Sequence, residues 1–225
     1  MTKLEAALEA VRRGFGVFPL VANSKRPVIE GWQHAATKDE ARIRQWWNEN
    51  PDYNIGISMD GYAALDIDPR NGGFETFKPL SESENLKDYK TLLTRTQGGG
   101  AHMIYAIPAG ERLKSRANTF GPGVDLKTGA GAYLVAPGST IDGRPYTWSN
   151  DRPIIPLPEG LAVRARGASP FTRSKAAGKR LVEEDDDAAI LAHGRVRTRN
   201  LVIALVSSVL VTAMAIAIAA NVRTR

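Results

Sequence analysis

Two aspartates close an apolar run, Ala63-Ala64-Leu65-Asp66-Ile67-Asp68. In an extended chain, side chains two apart point to the same side. Two carboxylates so placed offer hard oxygen ligands to one or two divalent cations. Charged groups seldom sit on an otherwise buried strand without a partner or a metal. The same spacing also fits a solvent-facing pair at a strand end, since Pro69 begins a turn. A third aspartate lies between apolar neighbours in Gly121-Pro-Gly-Val-Asp125-Leu-Lys127. A two-metal site needs about three carboxylates to fix ions roughly 3.5–4 Å apart. Asp125 is equally explained as a turn residue near Gly129.

A second set of residues suits phosphate. Thr96-Gln97-Gly98-Gly99-Gly100-Ala101-His102 precedes a strand-like run. At Gly99 and Gly100 no side chain blocks backbone N–H groups from phosphate oxygens. His102 offers a hydrogen bond to a phosphate of an incoming nucleotide. A flexible loop and a core histidine explain the same residues, and His34 and His193 have no such setting. Lys25, Arg26, Arg70 and Lys127 are candidate phosphate or backbone contacts. Trp32, Trp46 and Trp47 have rings that stack on bases, but helical spacing assigns Trp46 and Trp47 to a core.

The elements that must position these groups follow from periodicity. Leu4, Ala7, Leu8 and Val11 form one helical stripe. Val17-Phe18-Pro19-Leu20 reads as a short strand. Thr37 and Glu40 have capping-box spacing, which predicts a helix from Thr37 to about residue 50 with Ile43, Trp46 and Trp47 inward. Residues 54–59 and 62–68 read as two strands around a turn at Asp60-Gly61. A helix is expected within 72–93 and a strand over 102–107. A strand pair is expected over 124–127 and 132–136 across Gly129-Ala130-Gly131, and a short strand over 146–148. Helices first and adjacent strands after them predict an α+β domain.

Composition narrows the classes. The 225 residues contain no cysteine, which excludes a disulfide scaffold, a cysteine zinc site and a thiol nucleophile. The N-terminus carries acidic residues and no long apolar core, so no secretory signal is expected. The formal charge of +6 hints at nucleic acid. Yet residues 1–160 hold 19 Lys and Arg against 19 Asp and Glu, while 161–225 hold 11 against 5. The basic excess therefore belongs to the tail. The expected organisation is a catalytic domain over 1–163, a charged linker over 164–194 and an apolar helix over 195–225. Residues 201–220 lack any charge, Gly or Pro, long enough to span a bilayer; a buried helix of a small domain is the other reading. Flanking arginines favour a cytoplasmic catalytic domain anchored by this helix.

The order of these motifs resembles the primase-polymerase branch of the archaeo-eukaryotic primases over roughly residues 4–160. The series runs from Gly14-Phe-Gly-Val-Phe-Pro-Leu20 through Lys25-Arg-Pro27, Gly31-Trp32, Ala36-Thr37, Trp46-Trp47 and Asn54-Ile-Gly-Ile57. Leu65-Asp-Ile-Asp68, Thr96 to His102 and Gly123-Val-Asp125 are similar to the three catalytic motifs. Tyr133-Leu-Val-Ala-Pro-Gly-Ser139 and Tyr146-Thr-Trp148 are similar to the closing segment. The resemblance implies a modified RNA-recognition-like sheet beside a second α/β unit. It implies template-directed nucleotidyl transfer with Mg²⁺ or Mn²⁺, in phage or plasmid-type replication. Asp66, Asp68 and Asp125 would be the catalytic metal ligands. His102, Gly99, Gly100, Lys127 and Arg70 would bind the nucleotide. The implied partners are single-stranded DNA, NTP or dNTP, and a replicative helicase in trans, with membrane association through 201–220. Gln97-Gly98 and Ala101 depart from the family's second motif. The competing expectation is a catalytically weak nucleotide- or nucleic-acid-binding relative tethered to the membrane.

Overall fold

The computed structural model describes residues 1–88 and 90–167. Helix α1, Lys3–Arg12, starts at Thr2, whose hydroxyl accepts from the Glu5 N–H while the Glu5 carboxylate accepts from the Thr2 N–H. This reciprocal cap satisfies donors that the first turn would leave unpaired. The expected stripe is inward, with Ala6, Ala7, Leu8 and Ala10 buried. Strand β1, Val17–Leu20, and the short helix α2, Trp32–Ala35, follow.

Helix α3, Glu40–Glu49, buries Ile43, Trp46 and Trp47 as expected, but Thr37 is not its cap. The Thr37 backbone bridges to Val17 through two hydrogen bonds of 2.8 and 3.0 Å. Held there, it leaves Asp39 to accept from the Ala41 N–H at 2.9 Å.

A larger correction concerns the strands. Strand β2, Asn54–Ile67, is continuous through Asp60-Gly61. Strands β3, Leu92–Arg95, and β4, Ala101–Ala106, are a hairpin pair. Strand β5, Val124–Val135, is likewise one strand through Gly129-Ala130-Gly131. Neither glycine segment turns a hairpin. Instead β2 and β5 pair antiparallel along their length, and register shifts at Ser58, Met59 and Ala63 absorb the extra residues. Such a bulge bends a strand without ending it. The other edge of β2 is shared, by β1 over its first half and by β4 over its second.

Short strands β6, Thr140–Ile141, and β7, Arg144–Pro145, pair with each other, and β8, Thr147–Trp148, extends the main sheet beyond β3. The result is an α+β fold around a curled antiparallel sheet of order β1-β2-β4-β3-β8, with β5 also on β2.

Two cores hold the sheet. One joins α1 and α3 to Ile55, Ile57, Ala64, Leu92 and Ile104. The other joins helices α4, Gly73–Ser83, and α5, Glu159–Gly167, to Leu65, Ile67, Leu93, Met103 and Leu126. Helix α5 runs through position 163, where the catalytic domain was expected to end, and Ala165 is still buried. The rest of the expected linker and the apolar run 201–220 lie outside the described residues. Among those described, no helix is long and apolar enough to cross a membrane.

Candidate active site

Sheet register builds the site. Asp66 on β2 stands opposite His102 on β4 and opposite Asp125 on β5. His102 in turn stands opposite Thr94 on β3. Thr94, His102, Asp66 and Asp125 therefore form one row across four strands. The next row on that face is Leu92, Ile104 and Ala64 of the buried core, with Lys127 at its end. Alternation sends Leu93, Met103, Leu65 and Leu126 to the opposite core. A one-residue slip would exchange the two sets. Exposing four such side chains would cost about 1.5–3 kcal/mol each, so core packing fixes the polar row.

Asp68 lies just past β2. Asp66, Asp68 and Asp125 line one cleft of about 450 Å³ with Asn71, Ala117, Asn118, Pro122 and Gly123. Asp68 caps a 3-10 turn, Pro69–Asn71, and its carboxylate accepts from the Arg70 N–H, the Arg70 guanidinium and the Asn71 amide. The hydrogen bond from Arg70 does most to hold the Asp68 pKa below its usual 3.8. The Asp125 carboxylate accepts from the Asn118 N–H at 2.8 Å and from Lys127 Nζ at 3.0 Å. That ammonium lies 4.0 Å from Asp66.

His102 is buried, 5% exposed, with Nδ1 3.0 Å from the Thr94 hydroxyl and Nε2 3.6 Å from the Asp66 carboxylate. Burial lowers its pKa below 6.5 and outweighs the opposing pull of Asp66. The ring is therefore neutral near pH 7. Nδ1 and the Thr94 hydroxyl share a hydrogen bond whose direction follows the ring's tautomer, and Nε2 faces Asp66 from beyond hydrogen-bond reach.

The glycine run has a different role from the one expected. The Gly99 N–H donates to the Thr96 carbonyl and the Gly100 N–H to the Thr96 hydroxyl. Both donors are spent inside the turn rather than presented as a phosphate cradle. A Cβ on Gly100 would come within 2.2 Å of the Ile67 carbonyl oxygen. The glycine thus lets this loop pack against the end of β2. Arg70 reaches the same loop, its guanidinium 3.8 Å from where a Cβ on Gly98 would stand.

Some site neighbours were not singled out in the sequence. Tyr146 stacks on His102 with ring centroids 6.3 Å apart, and burial pushes its phenol pKa up to about 12. Asn118 holds Asp125 through its N–H and accepts from the Gly123 N–H through its side chain at 2.9 Å. Thr94 supports His102. Their signals are tertiary, and only Asn beside a glycine turn leaves a local trace. Trp32 stacks on Phe18 at 4.5 Å and meets Tyr133 edge-on. Trp46 and Trp47 are buried in the core that α3 shares with α1.

Among the described residues, no group of three or more His, Asp or Glu side chains stands close enough to hold a metal ion. The geometry explains this. Arg70 occupies Asp68, and Lys127 sits between Asp66 and Asp125.

The molecule thus presents an acidic cleft, rimmed by cations, at the strand ends of a curled α+β sheet. Residues 7–160 match the bifunctional DNA primase/polymerase N-terminal family. The match covers well over half of the chain and includes the whole cleft, so the chain belongs to that family. No curated protein sequence matches it.

Proposed function

We propose that this chain is a template-directed nucleotidyltransferase that makes and extends primers on single-stranded DNA. Family membership supports DNA primase/polymerase activity. The observation that carries the finer reading is that Asp125, far along the chain from Asp66 and Asp68, lines the same cleft as that pair.

In this reading Asp66 and Asp125 hold divalent cations, joined by Asp68 when its carboxylate is free. An all-oxygen donor set suits Mg²⁺ or Mn²⁺ rather than softer metals. Bound cations would lower the pKa of the primer hydroxyl and neutralise the leaving oxygen. The protein supplies position and charge. The 3′-hydroxyl of the growing strand attacks the α-phosphorus of an incoming NTP or dNTP. A phosphodiester bond forms, the hydroxyl proton passes to water, and the bond to pyrophosphate breaks. The His102 N–H donates to a phosphate oxygen of the nucleotide, and Thr94 fixes the ring that presents it. Arg70 and Lys127 neutralise the polyphosphate. Gly100 lets the loop that leads into His102 pack against the end of β2. The expected RNA-recognition-like core, a phage or plasmid setting and a helicase in trans belong to the same proposal.

The test is synthesis on a circular single-stranded template with Mg²⁺ or Mn²⁺ and labelled nucleotides. The expected result is a product complementary to the template, abolished by chelation. Absence of product with both nucleotide types and both metals rejects the reading.

A further inference from the structure

Asp68 has no room for a cation as the cleft stands. A carboxylate offers about four lone-pair positions. Oδ1 accepts from the Arg70 N–H at 3.0 Å and from Nε at 3.0 Å; Oδ2 accepts from Nη2 at 2.8 Å and from the Asn71 amide at 3.1 Å. Asp66 and Asp125 differ. Between them they receive one ammonium and one backbone N–H.

The Arg70 side chain is 65% exposed, so moving it disturbs little packing. Exposed ion pairs are generally weak, and the two-pronged geometry puts this one at the stronger end of that range. Its planar fork fits a carboxylate and a phosphate equally well. It is two residues from Asp68 and lies against the Gly98 loop, so on release it stays at the cleft mouth. Lys25 adds positive charge there, close enough to act on both Asp68 and His102.

We propose that Arg70 is an exchangeable cap on Asp68. It holds the carboxylate when no divalent cation is bound, and it transfers to the polyphosphate of the nucleotide when one is. This rests on the nucleotidyltransferase reading above. Its consequence is that metal and nucleotide help each other bind through one side chain. Divalent cation frees Arg70 for phosphate, and phosphate keeps Arg70 off Asp68. Thermodynamic linkage makes the two effects equal in size.

Arg70→Ala must then have effects of opposite sign. Without nucleotide, Mn²⁺ binds more tightly, by about two- to fivefold, the factor an exposed ion pair commonly represents. With Mn²⁺ present, a non-hydrolysable nucleoside triphosphate binds more weakly by a similar factor or more. Free Mn²⁺ is counted by electron paramagnetic resonance, and nucleotide binding is followed by calorimetry on the full chain. Arg70→Lys keeps the charge but not the fork, and is expected to recover part of the nucleotide affinity. Equal or weaker Mn²⁺ binding by Arg70→Ala overturns the cap, as does unchanged nucleotide affinity. Asp68→Asn separates this from failure of the functional reading. If it binds Mn²⁺ like the wild type, Asp68 is no ligand and the cap falls, while the functional reading falls only if the wild type makes no primer. If it weakens Mn²⁺ binding while Arg70→Ala does not strengthen it, only the cap falls.

Discussion

At the scale of single residues the site is a balance of charges held by short contacts. Removing one metal-binding carboxylate takes away transition-state charge stabilisation, commonly a factor of about 10² or more in rate. Asp66→Ala and Asp125→Ala are therefore expected to lose at least about 10²-fold in primer synthesis, measured as labelled product per unit time. Asp66→Ala should melt near the wild type, whereas Asp125→Ala gives up the hydrogen bonds from the Asn118 N–H and Lys127 and should melt somewhat lower. His102 carries a pH signature. Burial lowers its folded-state pKa below the unfolded value of about 6.5. Below that pH the unfolded chain binds more protons, so this contribution to stability is complete above about 6.5 and is lost as pH falls. The melting temperature of wild type should drop on going from pH 7.5 to 5.5. His102→Gln should flatten that slope even if its absolute stability is lower. Asp68, with its pKa lowered from 3.8 chiefly by Arg70, acts in a separate window below about pH 4. An unchanged slope in His102→Gln between pH 7.5 and 5.5 would show that the buried ring is not the titrating group.

At the scale of elements, the loops after β2 and before β5 are locked together by backbone. The Asp68 N–H donates to the Gly123 carbonyl at 2.8 Å, and the Gly73 N–H donates to the Asp68 carbonyl at 2.9 Å. A Cβ on Gly73 would come within 2.6 Å of both of those oxygens. Gly73→Ala therefore forces apart the segments that carry Asp68 and Asp125, at about 1–3 kcal/mol for overpacking, and activity should fall with stability. Gly61→Ala is the contrast. It meets only the strain of φ 80°, with open space around it, about 1–2 kcal/mol, and activity should survive. Thermal melts and primer synthesis on both variants check the difference.

The same elements show what the sequence made legible. The spacing of Asp66 and Asp68, the apolar stripe of α1 and the inward face of α3 were readable because each is a local pattern. Asp60-Gly61 and Gly129 read as turns in the sequence because a glycine serves a turn and a bulge equally. Only the partner strand decides between them, and β2 and β5 are each other's partner from far along the chain. Gly99 and Gly100 read as phosphate donors in the sequence. Their N–H groups are claimed by Thr96, a contact that depends on how the turn closes. Tyr146 and Thr94 were invisible as site residues, since only the register of β3 and β4 and the return of the chain bring them to His102.

At the scale of the molecule, the described fold runs to the end of α5. Leu161, Ala162 and Ala165 are buried, and Arg164 and Arg166 pair with Glu84, Glu111 and Glu159. A fragment of residues 1–167 is expected to melt cooperatively and to keep primer synthesis, whereas 1–163 should melt at lower temperature because it loses Ala165 and both arginines. Residues 1–160 have no net charge, so template affinity must come from the local cations around the cleft rather than from a general basic field. The apolar run 201–220 is proposed as a membrane anchor on its length. Full-length protein should then sediment with membranes and a 1–180 truncation should not; equal partition of the two would reject the anchor. The most direct test of the central claim compares wild type with Asp66→Asn in Mn²⁺-dependent primer synthesis on single-stranded DNA, at matched folded concentration. The account predicts template-complementary product from wild type and at most about 1% of it from the variant. Equal product from both would contradict it.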